Sequence, residues 1–333
     1  MMELNWDKII GHTQQKQLLK TLLAEDRMPH ALLFTGQDGI GKRMIGKTLA
    51  AAILCRQKAA PCGYCKSCEA MRLGSHPDYY EVFPESSGKS AKVIRIDQIR
   101  EMQTVVSRYP ILSQGRVVLI DEAECMNEAA ANSLLKTLEE PEGQITFLLI
   151  ASAKSSLLDT IVSRCMPVAF GMLPAEVMTA ALEAHGIPAE LAAELSALSD
   201  GSLGRALMLY ENGGLELRDD AIAFLEQLHD MNMERIWQIA KTKGDMEREK
   251  LREWILYLNM LLRDLLVLYE DGASLLLYHQ DSRRRLIAML PHFSESQIFA
   301  MLREVRELQK RLQANVNPRL QMEGFLLRIR DFV

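Results

Sequence analysis

The chain has 333 residues, enough for roughly two to three domains that each bury a core, which excludes a small disulfide-stapled scaffold. Its 39 Lys and Arg against 44 Asp and Glu give a formal net charge of −5, so any DNA contact must be local or shared with partners. Six cysteines, four of them between Cys55 and Cys68, are too unevenly placed for a secreted disulfide framework. The first residues lack a basic-then-apolar signal, and no apolar run approaches the ~18–20 residues that cross a bilayer. These features predict a soluble, cytosolic protein.

In chain order, the pattern predicts a helix over 14–24, a strand over 31–34, a helix over 44–54, a strand over 117–120, a helix over 128–138 and a strand over 146–150. Short continuous apolar runs alternating with helical segments predict an α/β domain with a parallel sheet, placed at 1–170. After Gly171 the strand signals vanish. Three short helices over 174–185, 188–199 and 202–210 predict a small bundle at 171–212, and the Gly213-Gly214 pair predicts a linker. The remainder, 213–333, reads as helical, with apolar residues every three or four positions over 254–269 and 294–312, which suits a bundle or an oligomer interface.

Directly after the first predicted strand comes Gly36-Gln37-Asp38-Gly39-Ile40-Gly41-Lys42, followed by a helix. Such a loop lets backbone N–H groups wrap a phosphate while the lysine reaches the outer phosphates. The next residue should be Ser or Thr, whose hydroxyl helps hold Mg²⁺, and it is Arg43. Nucleotide binding without efficient hydrolysis, a relic loop, and a plain Gly-rich turn all remain readings of this segment. The strand ending in Asp121-Glu122 supplies the second half of such a site, one carboxylate near the metal and one beside an attacking water.

Cys55, Cys62, Cys65 and Cys68 have the spacing C-x6-C-x2-C-x2-C, bent by Pro61 and Gly63. Four thiolates on short turns suit tetrahedral Zn²⁺ in a closed, structural site. Unliganded thiols are the alternative. Cys125 and Cys165 read as ordinary buried thiols.

Asn132-Ser133-Leu134-Leu135-Lys136-Thr137-Leu138-Glu139-Glu140-Pro141 and Ser163-Arg164-Cys165 resemble the core of bacterial clamp-loader subunits, within the AAA+ superfamily. The cysteine cluster, Gly201-Ser202-Leu203-Gly204-Arg205-Ala206 and Asn317-Pro318-Arg319-Leu320 extend the resemblance over nearly the whole chain. Within that family, gamma/tau subunits carry a complete phosphate loop and usually a longer tail, whereas delta-prime subunits have about this length and a degraded site. Arg43 and the length make the sequence most similar to the delta-prime kind.

The resemblance implies an AAA+ core, a helical lid and an all-α collar. It implies a hetero-pentameric ring with gamma/tau and delta subunits, in which ATP binding opens the sliding clamp and primed DNA triggers hydrolysis. Arg164 matches an arginine finger that acts on a neighbour's γ-phosphate, an interaction worth ~10³–10⁵ in rate. Ser152 and Arg205 match two sensor positions, and Ser is shorter than the usual Asn or Thr. Gly11-His12 and Arg27-Met28-Pro29-His30 match segments around the base and ribose, although His30 reads equally well as a satisfied histidine before a strand. Arg303, Arg306, Lys310 and Arg311 alternate with Glu304 and Glu307, so their charge largely cancels and they read as a solvated or intersubunit face. The chain is therefore expected to be a stator with little or no ATPase of its own. Self-sufficient ATPase, with Lys42 and Glu122 catalytic, is the alternative; direct nucleic-acid binding by a zinc-bearing regulator suffers from the acidic balance and the lack of an aromatic-basic strip.

Overall fold

Five short apolar runs line up as one parallel sheet. They are β1 (Ala31–Thr35), β2 (Tyr79–Val82), β3 (Arg116–Ile120), β4 (Ile145–Ala151) and β5 (Met166–Ala169), in the spatial order β2-β3-β4-β1-β5. The computed structural model describes residues 4–57, 60–85, 92–141, 143–211, 214–274, 276–313 and 317–332. Register is set by pairs such as Leu33 with Leu149 and Leu119 with Leu148.

The three central strands are buried on both faces, which is why they read as unbroken apolar runs. Leu33, Val118, Ile120, Phe147 and Leu149 face one side, and Leu32, Phe34, Val117, Leu119, Leu148 and Ile150 the other. The helices are α1 (Thr13–Ala24), α2 (Lys42–Leu54), α3 (Lys66–Arg72), α4 (Ile96–Val106), α5 (Glu128–Glu139) and the single-turn α6 (Asp159–Val162). α4 and α5 cover the first face through Ile99, Met102, Leu134 and Leu138; α1 and α2 cover the second through Leu19, Ile45 and Leu49. β2 and β5 are the two edges, short and only partly buried, and Pro167 is tolerated in β5 because an edge strand needs fewer ladder donors.

α7 (Ala175–Ala184), α8 (Ala189–Leu198) and α9 (Leu203–Glu211) follow, and beyond β5 no further strand occurs among the described residues. The C-terminal part contains α10 (Gly214–Gln227), α11 (Met233–Gly244), α12 (Arg248–Glu270), α13 (Arg283–Met289), α14 (Glu295–Gln313) and α15 (Pro318–Arg330). The described residues separate into two compact units, one of 4–85, 92–192 and 200–205 and one of 193–199 and 206–332. Of the predicted linker pair, Gly213 lies outside the described residues, and Gly214 is the first residue of α10, α9 having ended at Glu211. A glycine at a helix start is spared the cost it carries in the interior.

In the second unit α12 packs on α10, α13 and α14, while α15 packs on α11 and α14, with Trp254, Tyr257 and Phe325 fully buried. Asn232 and Asn317 cap α11 and α15, and Pro318 occupies the first turn of α15. Buried Asp264 accepts N–H bonds from Tyr278 and His279 at 3.1 and 2.9 Å and meets His279 Nδ1 at 2.8 Å, fixing the α12–α13 connection. On α14, Lys310 pairs with Glu307 within the helix, and Glu304 pairs with Arg328 of α15. No helix among the described residues is long and apolar enough to cross a membrane.

Candidate functional site

The phosphate-type loop lies at the C-terminal end of β1, where open parallel sheets place their ligands. Gly36 and Gly39 are required by geometry. Gly36 has φ +146° and a Cβ there would meet the Phe170 carbonyl oxygen at 2.4 Å; at Gly39, φ +75°, it would meet Ser202 Oγ at 2.4 Å. Gly41, φ +99°, caps α2, and Lys42 begins it. Lys42 is buried, 5% exposed, and its ammonium donates to the Gly36 carbonyl and, at 2.8 Å, to that of Gln37, with Asp38 Oδ1 at 3.4 Å. The Gly201–Arg205 turn abuts the loop: Ser202 Oγ donates to the Asp38 carbonyl at 2.7 Å and Gly204 N–H to that of Gly39 at 2.8 Å.

His12, in a left-handed conformation at φ +50°, meets the Ile40 carbonyl through Nε2 at 2.8 Å and packs edge-on against Phe170. Burial lowers its pKa, so a neutral ring donates this bond. Gly11 fits under Leu173, where any Cβ would collide. His30 is exposed and contributes its backbone carbonyl to Phe147 N–H, while Arg27 pairs with Glu25 on the surface.

Arg43 points away from the loop toward two acids. Its Nε and Nη2 donate to Glu81 Oε1 at 2.9 and 2.6 Å, and Nε lies 3.3 Å from Asp121 Oδ2. Lys47, one turn further along α2, meets the other oxygen of Glu81 at 3.0 Å. Burial pushes the Asp121 carboxyl up, an effect that Arg43 opposes and Glu122 and Glu81 reinforce. Glu122 adopts φ +47° and its carboxylate pairs with Lys92 at 3.3 Å. Ser152 N–H is held by Glu124 Oε1 at 2.8 Å, and the Arg205 guanidinium lies 3.6 Å from Asp200. The loop, Asp121, Glu122, Ser152 and Arg205 thus belong to one unit, with Arg43 placed against Asp121.

Arg164 follows α6, remote in sequence from the loop. Its Nη1 donates to the Thr160 carbonyl at 2.8 Å and its Nη2 to Glu139 Oε1 at the end of α5, leaving the side chain 34% exposed. Cys165 is buried, which pushes its thiol up to about 11, and Cys125 is only partly buried.

The cysteine cluster forms between α2 and the first turn of α3. Cys65 caps α3, its sulfur accepting from Cys68 N–H at 3.4 Å. The Cys55–Cys65 and Cys62–Cys68 sulfurs are 3.9 Å apart, and all four sulfurs lie within 4.8 Å of one another. A Zn–S bond of ≈ 2.3 Å in a tetrahedron requires sulfurs about 3.8 Å apart, so the four cysteines can hold a metal ion with little movement. Burial acts to raise the Cys62 thiol, but the backbone N–H groups of Tyr64 and Cys65 help bring it down to about 7; burial pushes Cys55 and Cys68 up.

Beside the cluster lies a buried polar network with no sequence motif. Ser67 and Ser113 hydroxyls both donate to the Leu54 carbonyl at 3.0 Å, and His76 Nε2 is 2.9 Å from Ser67 Oγ. Asp78 N–H donates to His76 Nδ1 at 3.0 Å, which leaves the ring proton on Nε2. The Asp78 carboxylate accepts from the N–H groups of Ile111, Leu112 and Ser113, each at 2.7 Å. Ser67, His76 and Asp78 therefore form a structural brace. They do not form a nucleophilic triad, because the Asp carboxylate faces the 111–113 loop instead of the imidazole.

A sequence model of the family "DNA polymerase III, delta subunit" matches residues 11–174. The DNA polymerase III subunit delta' of Pseudomonas aeruginosa is 33% identical over 323 residues, 94% of this chain and 95% of that protein. That of Bacillus subtilis is 30% identical over 340 residues, 99% and 100% of the two chains. The chain belongs to the delta-prime subunit family of bacterial DNA polymerase III. The tau subunit of Salmonella typhimurium is 30% identical over 257 residues, 69% of this chain but 39% of that longer protein, which sets the gamma/tau kind apart. In this family member the five-stranded parallel sheet carries the phosphate-type loop, and helices alone follow it among the described residues. Within this delta-prime chain, Glu81, Asp78 and His76 escape sequence reasoning, since each is a lone polar residue with a partner more than 30 positions away that the fold supplies.

Proposed function

We propose that the chain is the clamp-loader subunit that serves as stator and trans arginine-finger donor in ATP-driven loading of the sliding clamp onto primed DNA. Its partners would be gamma/tau and delta subunits in a hetero-pentameric ring, with clamp and DNA engaged through the complex. The observation that carries this reading is the contrast between two arginines. Arg43 is turned toward Asp121 of its own domain and stands where the metal-holding hydroxyl would be, whereas Arg164 stands partly exposed just after the short helix α6.

A finger stabilises charge that develops on the transferring phosphoryl group, and it must reach that charge from a neighbouring subunit. The Thr160 carbonyl and Glu139 hold the Arg164 fork in one orientation before docking, and an exposed pair of this kind costs ~1 kcal/mol or less to open. Lys42, Gly36, Gly39 and Gly41 would hold ATP or ADP, with Ser152 and Arg205 near its phosphates; Asp121 and Glu122 would contribute little to hydrolysis. Cys55, Cys62, Cys65 and Cys68 would hold one structural Zn²⁺ that ties α2 to α3. We divide the chain functionally into an AAA+ domain with a zinc module at 55–68, a lid at 171–212 and a collar at 213–333.

ATP turnover by the purified chain tests this reading against self-sufficient catalysis. Negligible turnover is expected. Robust turnover that Lys42→Ala abolishes would assign the chain to the catalytically active, gamma/tau-like kind.

A further inference from the structure

Phosphate loops of this family imply Mg²⁺, held between the hydroxyl that follows the loop lysine and the acid that ends the neighbouring strand. The residues present do not fit that ion. Arg43 replaces the hydroxyl, and a guanidinium offers donors only. Its Nε lies 3.3 Å from Asp121 Oδ2, on the carboxylate that would face the metal.

Nor is Arg43 free to swing away. Glu81 Oε1 takes two of its donors, at 2.9 and 2.6 Å, and Glu81 Oε2 is fixed in turn by Lys47 at 3.0 Å. Both acids are largely buried, with 17% of the Glu81 and 14% of the Asp121 side chain exposed, while Arg43 is half-exposed, so water screens these interactions only from the arginine side. Two cations and two carboxylates form a closed cluster across α2, β2 and the end of β3. A divalent cation would have to break it and then sit beside a fixed positive charge.

We propose that Arg43, clamped by Glu81, is a built-in cation in the place of the metal, so that this pocket takes a nucleoside phosphate in its metal-free form and discriminates against the Mg²⁺ complex. The inference rests on the phosphate-loop reading above and adds Glu81 as its positioning residue. It reverses the usual role of the ion. Mg²⁺ added to the solution chelates the free nucleotide and withdraws it from a pocket that has no ligand for the complex.

Calorimetric titration of the full chain with ADP, in EDTA and in excess Mg²⁺, tests this. Binding in EDTA is expected, weakened about tenfold or more by Mg²⁺, the scale of a single charge-assisted hydrogen bond. Arg43→Ser restores a hydroxyl and leaves Asp121 unpaired, so Mg²⁺ should then strengthen binding. Glu81→Gln should shrink the penalty imposed by Mg²⁺, whereas a merely structural role would lower affinity equally with and without the ion. Tighter wild-type binding in Mg²⁺, an Arg43→Ser variant with an unchanged Mg²⁺ response, or no ADP binding in EDTA by the folded chain would each overturn the proposal. None of these outcomes touches the finger reading, which is measured at Arg164 in the assembled complex.

Discussion

Asp78→Ala probes the brace that joins the cysteine module to the sheet. The substitution removes one charged acceptor from three backbone donors, each at 2.7 Å. Three such bonds at ~1.5–3 kcal/mol each are offset by a desolvation cost of several kcal/mol for a carboxylate that is 1% exposed. Ile111 is 76% exposed, so its N–H can turn to water, while that of buried Ser113 cannot. The net loss is therefore expected at about 2–4 kcal/mol, a midpoint shift of ~1 M urea for an m value near 3 kcal/mol/M.

The pH dependence has a definite sign. Burial opposes the Asp78 charge, the three N–H donors outweigh it, and the folded carboxyl is held below its ordinary range. Its contribution is thus fully present above the unfolded pKa of about 3.9 and is lost as pH falls through the lower folded value. Wild type and Asp78→Asn should converge in stability on acidification. Urea unfolding, with hydrogen exchange of the β3 amides to follow the sheet-bearing unit, reads both effects. A loss below ~0.5 kcal/mol, or unchanged protection at 111–113, would refute the reasoning.

Metal analysis of protein purified without added zinc should give about one equivalent, and chelation should raise exchange at 55–72 while β1, β3 and β4 stay protected. A folded, metal-free preparation would contradict this. Cys165, raised to about 11 by burial, should resist alkylation at pH 8 in the native state, as read by mass spectrometry, and react once urea unfolds the domain. Glu139→Gln removes the charge that holds Arg164 in an exposed pair, so unfolding stability should change by less than ~1 kcal/mol.

The central sheet was legible because β1, β3 and β4 are buried on both faces and leave unbroken apolar runs, with boundaries displaced by one residue at most at either end. β2 and β5 were not, since Tyr79-Tyr80-Glu81-Val82 and Met166-Pro167-Val168-Ala169 are short edge strands whose apolar runs are interrupted by Glu81 and Pro167. The loop glycines, Lys42 and the four cysteines announce themselves by spacing, because one short segment supplies each set. Glu81 could not be read the same way. It joins Arg43 across 38 positions through a strand pairing that no local pattern encodes, just as Asp78 reaches residues 33–35 positions on. Sequence finds chemistry that neighbours in the chain make together, and the fold adds what distant single residues do.

The most direct test of the account is DNA-stimulated ATP turnover by the reconstituted clamp loader carrying Arg164→Ala in this subunit alone. The account predicts a fall of ~10³ or more at the active site that the finger serves, seen as loss of that site's share of turnover, with the complex still assembled. Turnover equal to wild type in a fully assembled complex would contradict it.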